Sequence, residues 1–208
     1  VESYGMTEAS HQMASTSLDL SQRLEGSVGR AAGPEIAIMD ATGQILPPDS
    51  VGEVVIRGAN VTAGYENNPA ANLASFTNGW FRTGDQGWLN SDGFLTLNGR
   101  LKEMINRGGE KVAPPEIDAA ALEHPAVAQA VCFALPHEIL GEEVALVVVL
   151  QPEQTTTAAE IKEFLRQRLA DFKIPREVIF VEEIPKGATG KVQRLGLAQA
   201  LGLVKDQP

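Results

Sequence analysis

Residues 80–100 read WFRTGDQGWLNSDGFLTLNGR. GWFRTG, QGWLN and FLTLNG each read as a short strand. The last two flank Ser91-Asp92-Gly93, a hairpin signal. Working upstream, PEIAIMD (34–40) alternates apolar and polar, ATGQILPPDS (41–50) breaks the alternation, and GEVVIRG (52–58) is another strand. Between these, ENNPAANLASF (66–76) reads as a short helix with Asn68 as its cap and Pro69 in its first turn. So many short strands between about 34 and 105 predict a small barrel or twisted sheet.

Working downstream, the character changes near residue 100. PPEIDAAALEHP (114–125) opens on prolines and runs apolar at helical spacing. VAQAVCFAL (127–135) and EEVALVVVL (142–150) read as strands. AAEIKEFLRQRLADF (158–172) puts Ile161, Phe164, Leu165 and Leu169 on one helical face. EVIFVEEI (177–184) is a strand and RLGLAQALGL (194–203) a closing helix. Strands interleaved with helices predict a compact α+β domain. The expected fold class is α+β, with residues 1–100 a β-rich, barrel-like part, 101–208 a small α+β domain, and the boundary inside GRLKEMINR (99–107).

The 208 residues are 43% apolar and 21% charged, ordinary for a globular chain of one domain or two small ones. A net charge of −10 argues against a nucleic-acid or anionic-lipid partner, which needs clustered Lys and Arg. No stretch approaches the ~20 apolar residues of a membrane span. The single cysteine, Cys132, sits in an apolar run, reads as a small buried hydrophobe and permits no internal disulfide. With no signal peptide visible and no Ser-Lys-Leu in the closing KDQP, a cytoplasmic location is expected.

Near the end of the chain, residues 185–191 read PKGATGK. The spacing is not that of a Walker P-loop. Pro185 stands where the first glycine belongs, and Val192 replaces the hydroxyl residue. Taken alone, the stretch is a surface turn ending in a solvated lysine.

Five stretches change that reading by their order: YGMTEAS (4–10), GEVVIRGANVTAGYENNP (52–69), the opening WFRTGDQGWLNSDGFLTLNGR, LKEMINRGGEKVAPPEID (101–118) and PKGATGK. Together they resemble the adenylate-forming superfamily of acyl-CoA synthetases, luciferases and peptide-synthetase adenylation domains. The resemblance covers nearly the whole chain. It implies an enzyme that activates a carboxylate with ATP to an acyl-adenylate and passes it to coenzyme A. Both transition states carry negative charge on oxygen, so preorganised cations and donors should dominate the catalysis.

The resemblance also implies roles for residues. Tyr4 would lie against adenine, with Gly5 allowing close backbone approach and Met6 beside them at the nucleotide. Thr7 would bond the α-phosphate and Glu8 would hold Mg²⁺, a hard cation suited to carboxylate oxygen. On the residues alone, Tyr4 also reads as a core residue and Thr7-Glu8 as a helix start. Asp85 would accept from both ribose hydroxyls; it also reads as a turn aspartate after Gly84. Arg100 looks like a second ribose or phosphate contact, and Lys102 matches a hinge about which the second lobe swings. Lys191 would reach the substrate carboxylate and α-phosphate for adenylation and be carried away for thioester formation. Gly108 and Gly109 would then line the thiol tunnel, with Lys111 touching nucleotide or coenzyme A. Asn106 departs from the pattern: many members carry a lysine there that serves the thioester step.

His11 follows Glu8 by three residues, at the edge of the acyl site. It is either a structural histidine or the binder of a second carboxylate. With INRGGEKV (105–112) it resembles oxalate–CoA ligases, so the expected substrate is a small dicarboxylate, oxalate first. The glycine-rich loop for the β- and γ-phosphates is missing from these residues. The chain is therefore expected to be the C-terminal part of a larger ligase, partnered by its N-terminal part and inactive alone. The alternatives are another acyl-CoA ligase, for an aromatic or fatty acid, an amino-acid adenylation domain, or a non-catalytic nucleotide-binding or interaction module.

Overall fold

The computed structural model describes residues 1–187 and 190–204. Ala188 and Thr189 of PKGATGK and the closing KDQP lie outside the described residues. The chain forms two compact units, Val1–Leu101 and a second that begins at Lys102.

In the first unit, β1 (Ser3–Tyr4), β2 (Ala14–Ser15) and β3 (Arg30–Ala31) make a small antiparallel sheet in that order. The larger sheet holds β4 (Glu35–Met39), β5 (Gly52–Arg57), β6 (Phe76–Thr77), β7 (Trp80–Leu89) and β8 (Leu95–Arg100). Its order is β4-β5-β7-β6, with β8 also on β7. α1 (Pro69–Ser75) begins where the Asn68 side chain accepts from the Ala71 N–H at 3.1 Å. Tyr4, Met13, Ile38, Val54, Ile56, Phe81 and Leu95 build the core between the two sheets.

The two strands expected in WFRTGDQGWLN are one ten-residue strand, β7, with a register shift between Gln86 and Gly87. The reason is a buried carboxylate. Glu53 on β5 accepts from Arg82 Nε (2.8 Å) and from the Gly84 N–H (3.0 Å), so the irregular backbone stays paired across the glycine. The hairpin expected at Ser91-Asp92-Gly93 is present. Asn90 Oδ1 closes it, accepting from the N–H groups of Asp92 and Phe94. Leu18 and Leu20 stand 85% and 74% exposed.

The second unit is a sheet of order β10-β9-β12-β11 with β13 parallel to β12. The strands are β9 (Ile105–Arg107), β10 (Glu110–Val112), β11 (Val127–His137), β12 (Gly141–Leu150) and β13 (Glu177–Phe180). Val144, Leu146 and Val148 face α2 (Pro114–Leu122) and α3 (Ala158–Arg166), against Ile117, Ile161 and Leu165. Ala145 and Val147 face the other way, onto Ile184 and α4 (Leu197–Ala200). A strand covered on both faces reads as an unbroken apolar run, which is why VALVVVL lacks alternation.

Both helices at the end of the chain are shorter than their periodicity predicts. After Arg166 the N–H groups of Arg168 and Leu169 both donate to Leu165 O. The chain tightens while Leu169 and Phe172 stay packed on the core. α4 is a single turn because Gly196 and Gly202, with φ of 87° and 69°, bracket it.

Candidate active site

Residues 4–13 form a closed loop. The Met13 N–H donates to Tyr4 O (2.9 Å), and the N–H groups of Ala9 and His11 both donate to Met6 O. A Cβ at Gly5 would stand 2.0 Å from the His11 carbonyl oxygen, so only glycine fits where the loop folds back. The close approach expected at Gly5 is thus to this chain's own backbone. Asn60, in the GANVTAGY stretch, buttresses the loop from outside. Its amide donates to Ala9 O and Gln12 O at 3.0 Å each, and Ser10 Oγ donates to Asn60 O.

Thr7 and Glu8 lie on a 3-10 turn, Thr7–Ala9, which Thr7 does not cap: the capping position is Met6, without a side-chain bond. Thr7 and His11 are exposed, Met6 and Glu8 half-buried. Glu8 Oε1 accepts from the Tyr65 hydroxyl at 3.0 Å. Partial burial and this bond raise the Tyr65 phenol above its usual range. Ser10 and His11 both take positive φ, 52° and 66°, the left-handed geometry that turns the chain out of the 3-10 turn.

Tyr4, Asp85 and Arg100 come together. The Tyr4 hydroxyl donates to Asp85 Oδ2 at 2.5 Å, and Arg100 Nε stands 2.9 Å from Asp85 Oδ1. Asp85 pairs with Arg100 across β7 and β8 and sits inside the strand rather than in a turn. It is 7% exposed. Its N–H donates to Thr83 Oγ1, which itself donates to Val54 O. The Tyr4 ring is in the core while its hydroxyl holds the carboxylate. Burial, then the bond to Asp85, pushes the Tyr4 phenol well above 10.0, so it stays a donor through the neutral range. The Arg100 side chain is more than half exposed, so this carboxylate meets solvent through its guanidinium partner.

In the second unit Lys102 lies on the 3-10 turn Leu101–Glu103 and lines a cavity of about 270 Å³ with Glu103, Met104, Glu142 and Arg194. Gly108 and Gly109 are the two turn residues of the β9–β10 hairpin, with φ of 60° and 99°. This is the geometry that two-residue hairpins demand. Asn106 Oδ1 accepts from the Gly109 N–H (3.2 Å), and its own N–H donates to Glu142 Oε2 (2.6 Å). The departure at Asn106 is thus a turn-forming side chain. Lys111, next to Val112 on β10, is exposed. Beside the hairpin, Arg107 grips the buried Glu143 with two nitrogens, Nε at 2.5 Å and a terminal nitrogen at 3.2 Å. Burial works against the Glu143 charge, yet Arg107 and the Val144 N–H hold its carboxyl below the usual range.

Lys191 closes a second hairpin. Lys186 bridges Val192, the Gly187 N–H donates to Lys191 O (2.9 Å), and Lys191 is exposed. Three residues on, Arg194 turns inward. Its Nε donates to Glu103 Oε2 (3.0 Å), one terminal nitrogen to Asp118 Oδ2 (2.9 Å) and the other to Cys132 O. β11 is an edge strand, and Asp118 Oδ1 also accepts the Cys132 N–H, so these two side chains satisfy its outward backbone groups. Sequence reading missed Asn60, Tyr65 and Arg194. Among the described residues no cluster of three or more His, Cys, Asp or Glu side chains is arranged to hold a metal, and no helix is long and apolar enough to cross a membrane.

The model of the family described as AMP-binding enzyme matches residues 1–66, and that of the AMP-binding enzyme C-terminal domain matches 116–191. The chain is 49% identical to the oxalate–CoA ligase of Saccharomyces cerevisiae over 96% of its length, covering 37% of that protein. It is 49% identical to the oxalate–CoA ligase of Arabidopsis thaliana, covering 96% and 39%. The o-succinylbenzoate CoA synthetase of Bacillus subtilis, solved with its acyl-adenylate intermediate, superposes with a TM-score of 0.87 at 36% identity, over 94% of this chain and 40% of that one. The same synthetase, solved with ATP and magnesium ion, gives 0.86. The chain thus spans about two-fifths of the length of the proteins it matches.

Proposed function

We propose, from the premise that this chain belongs to the AMP-binding, adenylate-forming enzyme family, that the longer protein carrying it is an acid–thiol ligase for a small dicarboxylate, oxalate first. A substrate carboxylate oxygen attacks the α-phosphorus of ATP, and the bond to pyrophosphate breaks. The thiol of coenzyme A then attacks the acyl carbon of the adenylate, loses its proton, and AMP leaves. Residues 1–100 belong to the large nucleotide-binding lobe and 101–208 to the small mobile one. The missing N-terminal part supplies the loop for the outer phosphates. The observation that carries the reading is the likeness to oxalate–CoA ligases along nearly the whole chain.

The side chains support this chemistry. Asp85, oriented by Tyr4 and Arg100, is a carboxylate, an acceptor of the kind that suits the vicinal diol of ribose. Gly5 and Met6, with the core-packed Tyr4 behind them, would flank the nucleotide, and Thr7 offers an exposed hydroxyl to the α-phosphate. Glu8 fits Mg²⁺, which takes one or two carboxylates and completes its shell with substrate phosphates and water. Bound there, the ion would neutralise phosphate charge while Tyr65 orients the carboxylate. His11, exposed at the loop's end, would meet the second carboxylate of a diacid. Lys191 brings its ammonium to the oxygens that gain charge during adenylation. Lys102 is the hinge, and Gly108, Gly109 and Lys111 border the thiol path.

The test is pyrophosphate exchange by the full-length protein with oxalate, malonate, acetate, benzoate and octanoate. Oxalate-dependent exchange is expected, lost by roughly 10²–10³-fold in Lys191→Ala, the usual scale for removing one charge-stabilising group. Exchange with a mono-acid but none with oxalate refutes the substrate. Undiminished exchange in Lys191→Ala refutes the role of that lysine.

A further inference from the structure

We propose that Arg194 is a positioning residue for adenylation: it fastens the base of the Lys191 hairpin to Glu103, the neighbour of Lys102. This rests on the reading of Lys191 as the adenylation lysine and adds what aims it. Among its described residues, the Lys191 hairpin is held by a bridge between Lys186 and Val192 and by the bonds of Gly187 and Gly190. Lys191 is exposed, with a long flexible side chain, so its aim depends on where its backbone is anchored. The next anchor along the chain is Arg194, whose side chain is only 17% exposed and spends its nitrogens on three acceptors from three segments. Asp118 belongs to α2, Cys132 to β11 and Glu103 to the turn that carries Lys102. α2 and β11 are joined through the main core of this unit. The guanidinium fork therefore ties the lysine hairpin and the hinge turn to one common frame. The planar geometry of arginine is needed for this, since a lysine ammonium cannot span the three directions at once. When the small lobe turns about Lys102, the hairpin follows as part of the same body, and Lys191 arrives in register.

The experiment uses the full-length ligase and separates the two half-reactions: pyrophosphate exchange for adenylation, and thioester formation from preformed acyl-adenylate. Glu103→Gln keeps the volume and one acceptor while removing the charge, and Arg194→Lys keeps a cation beside Asp118, so both variants should fold. Exchange is expected to fall roughly ten- to hundredfold, the scale of a small misplacement of a catalytic group. Thioester formation is expected to stay within about twofold, because Lys191 has left the site for that step. Equal loss in both half-reactions would mean that Arg194 only stabilises the fold, and would overturn the proposal. Wild-type exchange in both variants, with Lys191→Ala inactive, would overturn it while sparing the reading of Lys191. Full exchange in Lys191→Ala would remove that reading and the proposal together.

Discussion

Tyr4→Phe tests the Tyr4–Asp85 pair through its pH dependence. The substitution removes one hydroxyl and leaves the ring in the core. The lost bond is 2.5 Å long, buried, and accepted by a carboxylate that keeps Arg100 at 2.9 Å. A hydrogen bond to a charged partner contributes about 1.5–3 kcal/mol. A loss near the middle of that range should move a urea midpoint by about 1 M, given slopes of roughly 1–3 kcal/mol/M for small domains. The sign of the pH effect follows from the raised phenol. Burial and the Asp85 bond favour neutral Tyr4 in the folded state, whereas the unfolded chain ionises it near 10.0. The stabilisation is therefore fully present below 10.0 and lost as pH rises towards the folded value, at up to about 1.4 kcal/mol per pH unit. Tyr65, also raised, is common to both proteins and cancels in the comparison. Urea titrations of both proteins from pH 7 to pH 11 should show the wild-type advantage shrinking above pH 10. Equal midpoints at pH 7, or a gap that does not narrow in alkali, would refute the argument that this bond ties the ring to the carboxylate.

Gly5→Ala should destabilise the first unit by about 1–3 kcal/mol, the scale of overpacking, because its methyl would stand 2.0 Å from the His11 carbonyl oxygen. Faster amide exchange at Met13, whose N–H closes the loop on Tyr4, is the direct readout. Glu143→Gln should flatten the acid limb of stability. The Glu143 carboxyl is held below 4.5 in the fold, so its contribution is present above 4.5 and is lost as pH falls through the lowered value. Acid titration followed by circular dichroism should therefore show a shallower decline in the variant, and an unchanged slope would count against the Arg107 grip.

Strands and the change of character near residue 100 were legible because both depend on neighbours in the chain. Alternation marks β4, and polar breaks mark the ends of β5. Asn68-Pro69 marks the start of α1 because capping is local. Some stretches carry two signals at once. INRGGEKV resembles a family motif, and its Gly-Gly between two short apolar-polar runs is also a hairpin turn. Gly196 and Gly202 likewise announce the early end of α4. Sheet order could not be read, because pairing β8 beside β6 on one edge of β7 is a matter of distant residues.

The residues that support the site were hidden for the same reason. Asn60 acts on carbonyls 48 and 51 positions away, and Arg194 on acceptors 62, 76 and 91 positions away. Nothing near either in sequence calls for an amide or a guanidinium there. A motif reports groups whose chemical type matters to a substrate; a buttress reports only the backbone geometry that it must satisfy. Asp85 belongs to both kinds. As a polar residue after a glycine it looks like a turn, but the strand buries it, and only there do Tyr4 and Arg100 reach its two oxygens. A turn aspartate would be hydrated on all sides and free to rotate. The strand aspartate is held by Tyr4 from the core and by Arg100 from the water side, so its orientation is set by the fold. For the proposed ribose contact, that preorganisation would lower the ordering cost of binding. It also makes the residue before the bulge in β7, rather than the glycine-rich appearance of the stretch, the feature on which the proposed contact rests.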